Sequence, residues 1–395
     1  MVSHTVCAVT GSRAEFGLLR PLLIRLVESD EIDLRLVVTG SHLSGAFGGT
    51  QKEITDSGLA IHKKIPLPLE GDSKHDMAKA TGAAVSAFAD YFSAYRPELL
   101  VVLGDRYEIF AAAVAAALIG VPIAHICGGE LTEGAVGDCL RHSISKMSIL
   151  HFTECEIYRQ RVIQLGEEPG RVFNVGALGV ENALHIPLMT LEELQKDICF
   201  QLEGRPFCVV TFHPVTMESG TAEAQMGELI SAMEQFPEMN YLITLSNADA
   251  GGRTVNQIWE REELSHKNWA VVPSLGTRRY LSALRYARLM LGNSSSGIIE
   301  GPISRIPTVN IGDRQKGRIM AESVLCCPPV CEAIAAAMER ALSPEFQQIA
   351  KGVVNPFGDG RTSEQIVSAI YAFLTTSGEH KKTFLLSQEN FRLSY

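Results

Sequence analysis

Residues 99–130, LLVVLGDRYEIFAAAVAAALIGVPIAHICGGE, determine the fold class of this chain. A short apolar run at 99–103 ends before Gly104, an Ala-rich helical pattern follows at 107–118, and a second apolar run covers 122–126. A short buried strand, a helix and another short strand in this order are typical of a βαβ unit, whose two strands are parallel. The stretch therefore predicts a parallel α/β sheet.

The same alternation extends on both sides of this unit. Further strands predicted at 5–10, 34–38, 151–153 and 172–175 complete a first sheet, with helices at 16–29, 77–95, 140–147 and 156–165. After a looser polar stretch at 179–206, a second series has strands at 207–211, 241–244, 270–272, 289–292 and 308–311 and a last helix at 363–374. Such alternation is typical of doubly wound sheets, in which helices cover both faces.

The predicted architecture is two Rossmann-like doubly wound α/β domains facing a cleft. The first domain covers residues 1–182 and the second covers residues 183–374, while residues 375–395 form a polar tail. The length of 395 residues agrees with this division, because one hydrophobic core rarely organises a chain of that size.

Composition and charge exclude several classes of protein. Hydrophobic residues make up 46% and charged residues 20% of the chain, which is typical of a globular protein. The formal net charge of −10 argues against a nucleic-acid binder. The apolar segment 109–126 is interrupted by Gly120 and Pro122, which argues against a membrane span. Nine Cys residues, two of them adjacent, indicate reduced thiols, and with no export signal at the start they predict a cytoplasmic protein.

Polar residues follow the first and third predicted strands, at the edge where parallel sheets bind ligands. Gly11, Ser12 and Arg13 form either an anion cradle at a helix N-terminus or an ordinary turn with an exposed Arg13. Asp105 and Arg106 follow strand 99–103, and a functional role is favoured there because a helix cap does not need the adjoining guanidinium.

Two carboxylates follow the next predicted strand. Glu130 comes directly after Gly128 and Gly129, which allow the backbone to approach a ligand closely. Asp138 begins the next helix and is either a functional carboxylate or a cap. Nearby Cys and His residues match no zinc spacing, so no metal site is predicted.

The second domain has the motifs of a nucleoside-diphosphate pocket. His213 follows strand 207–211 and is either a structural residue or a ligand contact. Asn247 lies in a run that is either a turn or part of the site. The run GNSSSGIIE at 292–300 places hydroxyls and backbone N–H groups at a helix start, which suits a diphosphate. Glu300 could accept both ribose hydroxyls, and Arg314 follows the next strand. The predicted contacts in this run are Ser294, Ser295, Gly297 and Glu300.

These motifs together resemble those of the hydrolysing UDP-N-acetylglucosamine 2-epimerases that begin sialic acid biosynthesis. The resemblance spans nearly the whole chain and rests on GSRAEFG at 11–17, VLGDRYEIF at 102–110, RHSISKMS at 141–148, VFNVGALGVENAL at 172–184, GNSSSGIIE at 292–300 and NIGDRQKGR at 310–318. It implies a glycosyltransferase-B type fold, UDP bound by the second domain, a C-terminal helix that returns toward the first domain, and a homodimer or homotetramer.

The resemblance also implies a reaction and roles for the polar residues. A base removes the proton at carbon 2 while UDP leaves from carbon 1, and water then adds to the enzyme-bound 2-acetamidoglucal to release N-acetylmannosamine. The implied catalytic residues are Asp105, Glu130, Asp138 and His213, and the implied substrate contacts are Arg13, Arg106, Asn247, Ser294, Ser295, Gly297, Glu300 and Arg314. Many members carry Glu or His where this chain has Cys127, and Asp where it has Gly137, so Glu130 and Asp138 are expected to supply the acidic groups of this loop.

Three other functions remain open from the sequence. The same reaction could act on a 2,4-diacetamido-trideoxy nucleotide sugar of the legionaminic acid route. A second alternative is a glycosyltransferase, because these enzymes share the fold. A third is a non-catalytic nucleotide-sugar sensor, which would keep Glu300 and Arg314. A sensor would not need Asp105, Glu130 and His213, and their presence favours an enzyme. No cofactor is expected, because the turn after the first strand lacks the G-x-G-x-x-G dinucleotide pattern.

Overall fold

The computed structural model describes residues 3–44, 50–68, 73–131, 136–214, 222–246, 252–376 and 382. The chain divides into two compact units. The first unit contains residues 1–130, 136–181 and 357–395, and the second contains residues 131–135 and 182–356.

The first unit is built on a seven-stranded sheet in which every pair of neighbours is parallel. Its strands are β1 (His4–Thr10), β2 (Ile32–Thr39), β3 (Ile61–Ile65), β4 (Leu99–Leu103), β5 (Ile123–Ile126), β6 (Leu150–Thr153) and β7 (Val172–Asn174). The strand order is β3-β2-β1-β4-β5-β6-β7, so the winding direction reverses between β1 and β4. Loops at the carboxyl ends of two such strands diverge and leave a crevice, which is where doubly wound sheets bind ligands.

Helices cover both faces of this sheet. They are α1 (Arg13–Glu28), α2 (Gln51–Asp56), α3 (Lys74–Ala94), α4 (Tyr107–Ile119), α5 (Val136–Met147), α6 (Glu156–Gln164) and α7 (Leu178–His185), the last of which ends in the second unit. Strand β4 is buried over its whole length, as expected for a parallel strand covered on both faces. The small buried Ala side chains of α4 allow α3 to pack closely against it.

The second unit is built on a six-stranded parallel sheet with the order β10-β9-β8-β11-β12-β13. Its strands are β8 (Phe207–Thr211), β9 (Asn240–Thr244), β10 (Trp269–Val272), β11 (Leu289–Gly292), β12 (Thr308–Ile311) and β13 (Val324–Cys327). The flanking helices are α8 (Leu191–Ile198), α9 (Ala222–Met233), α10 (Gly252–Glu263), α11 (Gly276–Tyr286), α12 (Ser296–Ile303), α13 (Cys331–Leu342) and α14 (Pro344–Gly352). The winding direction of this sheet reverses between β8 and β11.

The last helix, α15 (Thr362–Thr375), belongs to the first unit and packs on α1. The buried carboxylate of Glu181 accepts hydrogen bonds from the backbone N–H and the hydroxyl of Ser363, which ties the start of α15 to the end of the first chain segment. Within the segment predicted as a tail, the ammonium of Lys382 lies 2.7 Å from a carboxylate oxygen of Glu167.

The predicted fold of two Rossmann-like α/β units is confirmed, and the central strands at 99–103, 207–211, 289–292 and 308–311 have the predicted bounds. Two edge strands, β3 and β13, were not predicted. The stretch at 179–206 was expected to be loose, yet it contains most of α7 and all of α8, the latter with a capping box formed by Thr190 and Glu193. None of the helices in the described ranges is long and apolar enough to cross a membrane.

Candidate active site

In the first unit, predicted site residues lie at the carboxyl ends of β1 and β4, where the winding reverses. Ser12 caps α1, and its side chain accepts a hydrogen bond from the backbone N–H of Glu15 at 3.4 Å. Arg13 is partly exposed in the first turn of this helix, whose free N–H groups favour an anion. Arg106 precedes α4 and its Nε donates to Oε1 of Glu108 at 2.6 Å.

Three of the four predicted catalytic residues surround the guanidinium of Arg141, which lies on α5 and is only 3% exposed. Nη2 of Arg141 donates to Oδ2 of Asp105 and lies 3.7 Å from Oε2 of Glu130. Nη1 lies 3.2 Å from Oδ1 of Asp138 and also donates to the backbone carbonyl of Glu130. One buried cation therefore orients three carboxylates that come from separate loops and a helix.

The absence of a side chain at Gly137 has a steric reason. A Cβ atom at this position would lie 2.3 Å from Oδ2 of Asp105, which is held by Arg141. An Asp at position 137, as in many members of the family that the sequence resembles, would therefore displace Asp105 or break its ion pair with Arg141. This arrangement is consistent with the acidic groups of the loop being Glu130 and Asp138.

A second set of titratable groups lies beside this network at the ends of β5 and β6. Cys127 has a backbone φ of 66°, in the left-handed region that is uncommon for residues other than Gly. Its buried thiol donates to Oε1 of the buried Glu154 at 3.4 Å. Burial, followed by the nearby charge of Glu154, raises the pKa of the Cys127 thiol well above its usual value. Sequence reasoning did not identify Glu154, although its position directly after a strand was the available signal.

Ligand atoms of Cys127, Glu130 and Glu154 all lie within 4.8 Å of one another, a grouping that the sequence spacing did not predict. The Cys127 thiol already donates to Glu154, and Glu130 is already paired with Arg141. His125 uses both ring nitrogens for other contacts, with Ser145 at 3.0 Å and the carbonyl of Gly104 at 2.8 Å. These residues therefore fit a hydrogen-bonded network better than a metal centre.

In the second unit, His213 and Asn293 lie at the carboxyl ends of β8 and β11, where that sheet reverses its winding. Nδ1 of His213 lies 3.0 Å from the hydroxyl of Ser246. Burial, followed by the positive charge of Arg314, lowers the pKa of His213 to about 3. The imidazole is therefore neutral at physiological pH, which favours a hydrogen-bonding role over proton donation.

The run at 292–300 forms a turn and the start of α12. Ser295 precedes the helix, and the hydroxyl of Ser294 accepts a hydrogen bond from the backbone N–H of Ser296 at 3.4 Å. Gly297 has no room for a side chain, because a Cβ atom there would lie 2.7 Å from Cγ2 of Thr308. The backbone of α12 thus packs directly on β12, with its N-terminal N–H groups at the ligand edge of the sheet.

Charged residues flank this helix start. Glu300 lies one turn into α12, and its Oε2 is buried without a hydrogen-bond partner in the described parts of the chain. Burial raises the pKa of Glu300 to about 7. Nη1 of Arg314 donates to the carbonyl of Asn293 at 3.1 Å. Asn247, the remaining predicted contact, lies outside the described residues.

Two Rossmann-like units with anion-binding helix starts and a carboxylate cluster are typical of enzymes that act on nucleotide-linked substrates. The sequence profile of the UDP-N-acetylglucosamine 2-epimerase family matches residues 25–371, and the chain belongs to this family, in its hydrolysing branch. The glycosyltransferase-B type fold of the family is thereby also established for this chain.

Individual relatives support this assignment. A Campylobacter jejuni protein named GDP/UDP-N,N'-diacetylbacillosamine 2-epimerase (hydrolyzing) is 38% identical over 350 residues, which are 88% of this chain and 90% of the relative. An Escherichia coli protein named polysialic acid biosynthesis protein P7 is 37% identical over 377 residues, which are 95% of this chain and 96% of the relative. The crystal structure of UDP-GlcNAc 2-epimerase from Neisseria meningitidis bound to UDP-GlcNAc has the same fold, with a TM-score of 0.80 at 16% identity, covering 93% of this chain and 100% of that chain.

Proposed function

We propose that this protein releases UDP from a UDP-linked 2-acetamido sugar and inverts carbon 2 of the sugar. The observation that carries the proposal is the cluster of Asp105, Glu130 and Asp138 around the buried Arg141. Removing a weakly acidic proton from carbon requires a fixed carboxylate base and a partner acid, and clustered carboxylates can supply both. The acid–base groups and the predicted substrate contacts Arg13 and Arg106 belong to the first unit, and the other predicted nucleotide contacts belong to the second.

The proposed reaction proceeds in two steps. A carboxylate removes the proton at carbon 2, a carbon–carbon double bond forms to carbon 1, and the carbon–oxygen bond to UDP breaks with both electrons leaving on the phosphate. Water then adds to carbon 1 of the 2-acetamidoglucal, and carbon 2 takes up a proton on the opposite face. Among the three carboxylates, Asp105 is the most exposed, at 27% for its side chain, which favours it as the group that reaches the sugar.

The nucleotide contacts follow from the second unit. The helix start at Ser294, Ser295 and Gly297 would bind the phosphates, with Arg314 adding a cation. Glu300 would accept the ribose hydroxyls with its unpartnered oxygen. Neutral His213 would contribute a hydrogen bond near the leaving group rather than a proton.

Two substrates are supported by different observations. UDP-N-acetylglucosamine, with N-acetylmannosamine as the product, agrees with the resemblance to enzymes of sialic acid biosynthesis and with the name of the Escherichia coli relative. UDP-N,N'-diacetylbacillosamine is favoured by the name of the Campylobacter jejuni relative. The two sugars share the acetamido group at carbon 2 and the diphosphate, which are the parts on which the proposed chemistry depends.

The test is to incubate the protein with each nucleotide sugar in heavy water, without an acceptor or an added cofactor, and to identify the products by NMR. We expect UDP and a free 2-epimeric sugar that carries deuterium at carbon 2, with the larger kcat/KM identifying the substrate. A sugar that keeps its original hydrogen at carbon 2 would contradict the elimination step. A strict need for an acceptor would indicate a transferase, and UDP binding without turnover would indicate a sensor.

A further inference from the structure

The carboxylate of Glu108 is fully buried at the point where the first sheet reverses its winding. Glu108 is the second residue of α4, and its Oε1 accepts the hydrogen bond from Nε of Arg106 at 2.6 Å. Its other oxygen, Oε2, is buried without a hydrogen-bond partner within the described ranges. A buried carboxylate is costly unless it is paired, so its contact with Arg106 is the compensating interaction.

The backbone at the ends of two neighbouring strands packs closely around the Glu108 carboxylate. A Cβ atom at Gly11, after β1, would lie 2.4 Å from Oε1 of Glu108. Gly40, after β2, has a φ of +59°, and a Cβ atom there would lie 3.0 Å from the same oxygen and 2.7 Å from the carbonyl of Gly11. The ends of β1 and β2 therefore enclose the Glu108 carboxylate and leave it little freedom to move away from Arg106.

Glu15 is another buried titratable side chain near Glu108 and Arg106. Its Oε2 accepts the backbone N–H of Gly11 at 3.0 Å, and its Oε1 has no partner in the described part of the chain. Burial, followed by the charge of Glu108, raises the pKa of Glu15 to about 8, so Glu15 is mainly protonated at neutral pH. Burial also lowers the pKa of His42 to about 4, so this imidazole carries no charge. Neither Glu15 nor His42 therefore adds a charge beside the contact between Glu108 and Arg106.

We infer that Glu108 is a positioning residue that holds Arg106 in the orientation that binds the diphosphate of the substrate. This inference rests on the proposed function, in which Arg106 is a substrate contact. The contact at Nε leaves Nη1 and Nη2 of Arg106 to donate to a ligand, and neither of them donates to another described residue. The Arg106 side chain is 39% exposed and precedes α4, whose N-terminal dipole also favours an anion.

Fixing a long side chain before the ligand arrives reduces the entropy that is lost on binding. A guanidinium restrained at Nε also keeps the N–H groups of Nη1 and Nη2 in the plane that suits a phosphate. Removal of the Glu108 charge should therefore weaken UDP binding only by its effect on Arg106. A general loss of structure would weaken UDP binding whether or not the Arg106 side chain is present.

The test is calorimetric titration of UDP into the wild type, Arg106→Ala, Glu108→Gln and the double variant. We expect Arg106→Ala to weaken UDP binding about 10-fold or more. Glu108→Gln should cause most of the same loss, and the double variant should bind UDP no more weakly than Arg106→Ala. Glu108→Asp keeps the charge but is one methylene shorter, and it should weaken binding as well. Asp33→Asn removes the carboxylate of the exposed Arg35–Asp33 pair and is the matched control, with unchanged UDP affinity.

Different outcomes separate this inference from the proposed function. If Arg106→Ala weakens UDP binding but Glu108→Gln and Glu108→Asp do not, the positioning role is wrong while the nucleotide contact stands. Additive losses in the double variant would also overturn the inference, because Glu108 would then act independently of Arg106. Wild-type affinity in Arg106→Ala would contradict both the inference and the proposed contact of Arg106 with substrate.

Discussion

His213 and Asn293 form two reciprocal hydrogen bonds across the point where the second sheet reverses its winding. The backbone N–H of His213 donates to Oδ1 of Asn293 at 2.7 Å, and Nδ2 of Asn293 donates to the carbonyl of His213 at 2.8 Å. The ends of β8 and β11 are thereby held together by one side-chain amide. The backbone carbonyl of Asn293 in turn accepts from Arg314, so Asn293 connects the predicted catalytic residue His213 with the predicted substrate contact Arg314.

Asn293→Ala should lower both stability and UDP affinity. The substitution removes both hydrogen bonds that the Asn293 side chain makes to the buried backbone of His213, which should cost about 1–3 kcal/mol in the free energy of unfolding. Urea unfolding and UDP titration measure the two effects. Asn268→Ala is the matched control, since Nδ2 of Asn268 donates to the carbonyl of Met239 at 2.7 Å and its loss should reduce stability only. Equal UDP affinity in both variants would show that Asn293 has no part in the nucleotide site.

Glu15→Gln should change how stability depends on pH. The pKa of Glu15 is raised from 4.5 to about 8, so the folded chain keeps a proton that the unfolded chain releases. This group therefore contributes stability below pH 4.5 that is lost as pH rises toward 8. Relative to Glu15→Gln, the wild type should lose free energy of unfolding across this interval, by at most about 1.4 kcal/mol per pH unit. Urea unfolding at several pH values is the measurement, with exposed Glu53→Gln as the control. Parallel curves for Glu15→Gln and the wild type would contradict the prediction.

Gly137→Ala should lower kcat by displacing Asp105. The added methyl would lie 2.3 Å from Oδ2 of Asp105 and would separate this carboxylate from Arg141. If Asp105 is the base, kcat should fall by about 100-fold, while UDP affinity should change little. Gly82→Ala is the control, because Gly82 also lies in a helix and a Cβ atom there meets nothing within 4 Å. Undiminished turnover in Gly137→Ala would place the base elsewhere.

The three carboxylates around Arg141 should differ in their effect on turnover. Asp105→Asn and Glu130→Gln should each lower kcat by at least about 100-fold if they are the base and the acid, with UDP binding kept. Asp138→Asn distinguishes the two interpretations of that residue, since a purely structural Asp138 would leave kcat nearly intact. Steady-state kinetics on the substrate identified by NMR is the measurement. Arg159→Lys, which changes a guanidinium that also bonds a carboxylate and backbone carbonyls, is the control and should have wild-type kcat.

Glu300→Gln should remove a pH dependence of UDP binding near neutrality. Burial raises the pKa of Glu300 to about 7, and only the ionised carboxylate can accept both ribose hydroxyls. UDP affinity of the wild type should therefore rise from pH 6 to pH 8, and binding at neutral pH should release protons to the buffer. Calorimetry in buffers with different ionisation enthalpies detects this release. The same buffer dependence in Glu300→Gln would assign the proton to another group, and exposed Glu332→Gln should behave as the wild type.

The sequence alone determined the α/β class, the two units and most of the strands that carry the site. Central strands such as β4 and β8 are buried on both faces, so they are continuous apolar runs that are visible without a structure. The edge strand β3 escaped prediction because its sequence, IHKKI, is largely exposed and polar. The residues after each central strand were also identifiable, since the carboxyl ends of parallel strands form the ligand edge.

Only the tertiary structure decided which of these residues act together. Arg141 contacts Asp105 from 36 positions away, and no spacing in the sequence distinguishes this Arg from the other Arg residues of the chain. The burial of Glu108, the raised pKa of Glu15 and the neutrality of His213 also depend on atoms brought together from separate strands. Local patterns specify which groups a loop offers, whereas desolvation and pairing, which set the charge and orientation of those groups, arise only when the chain has packed.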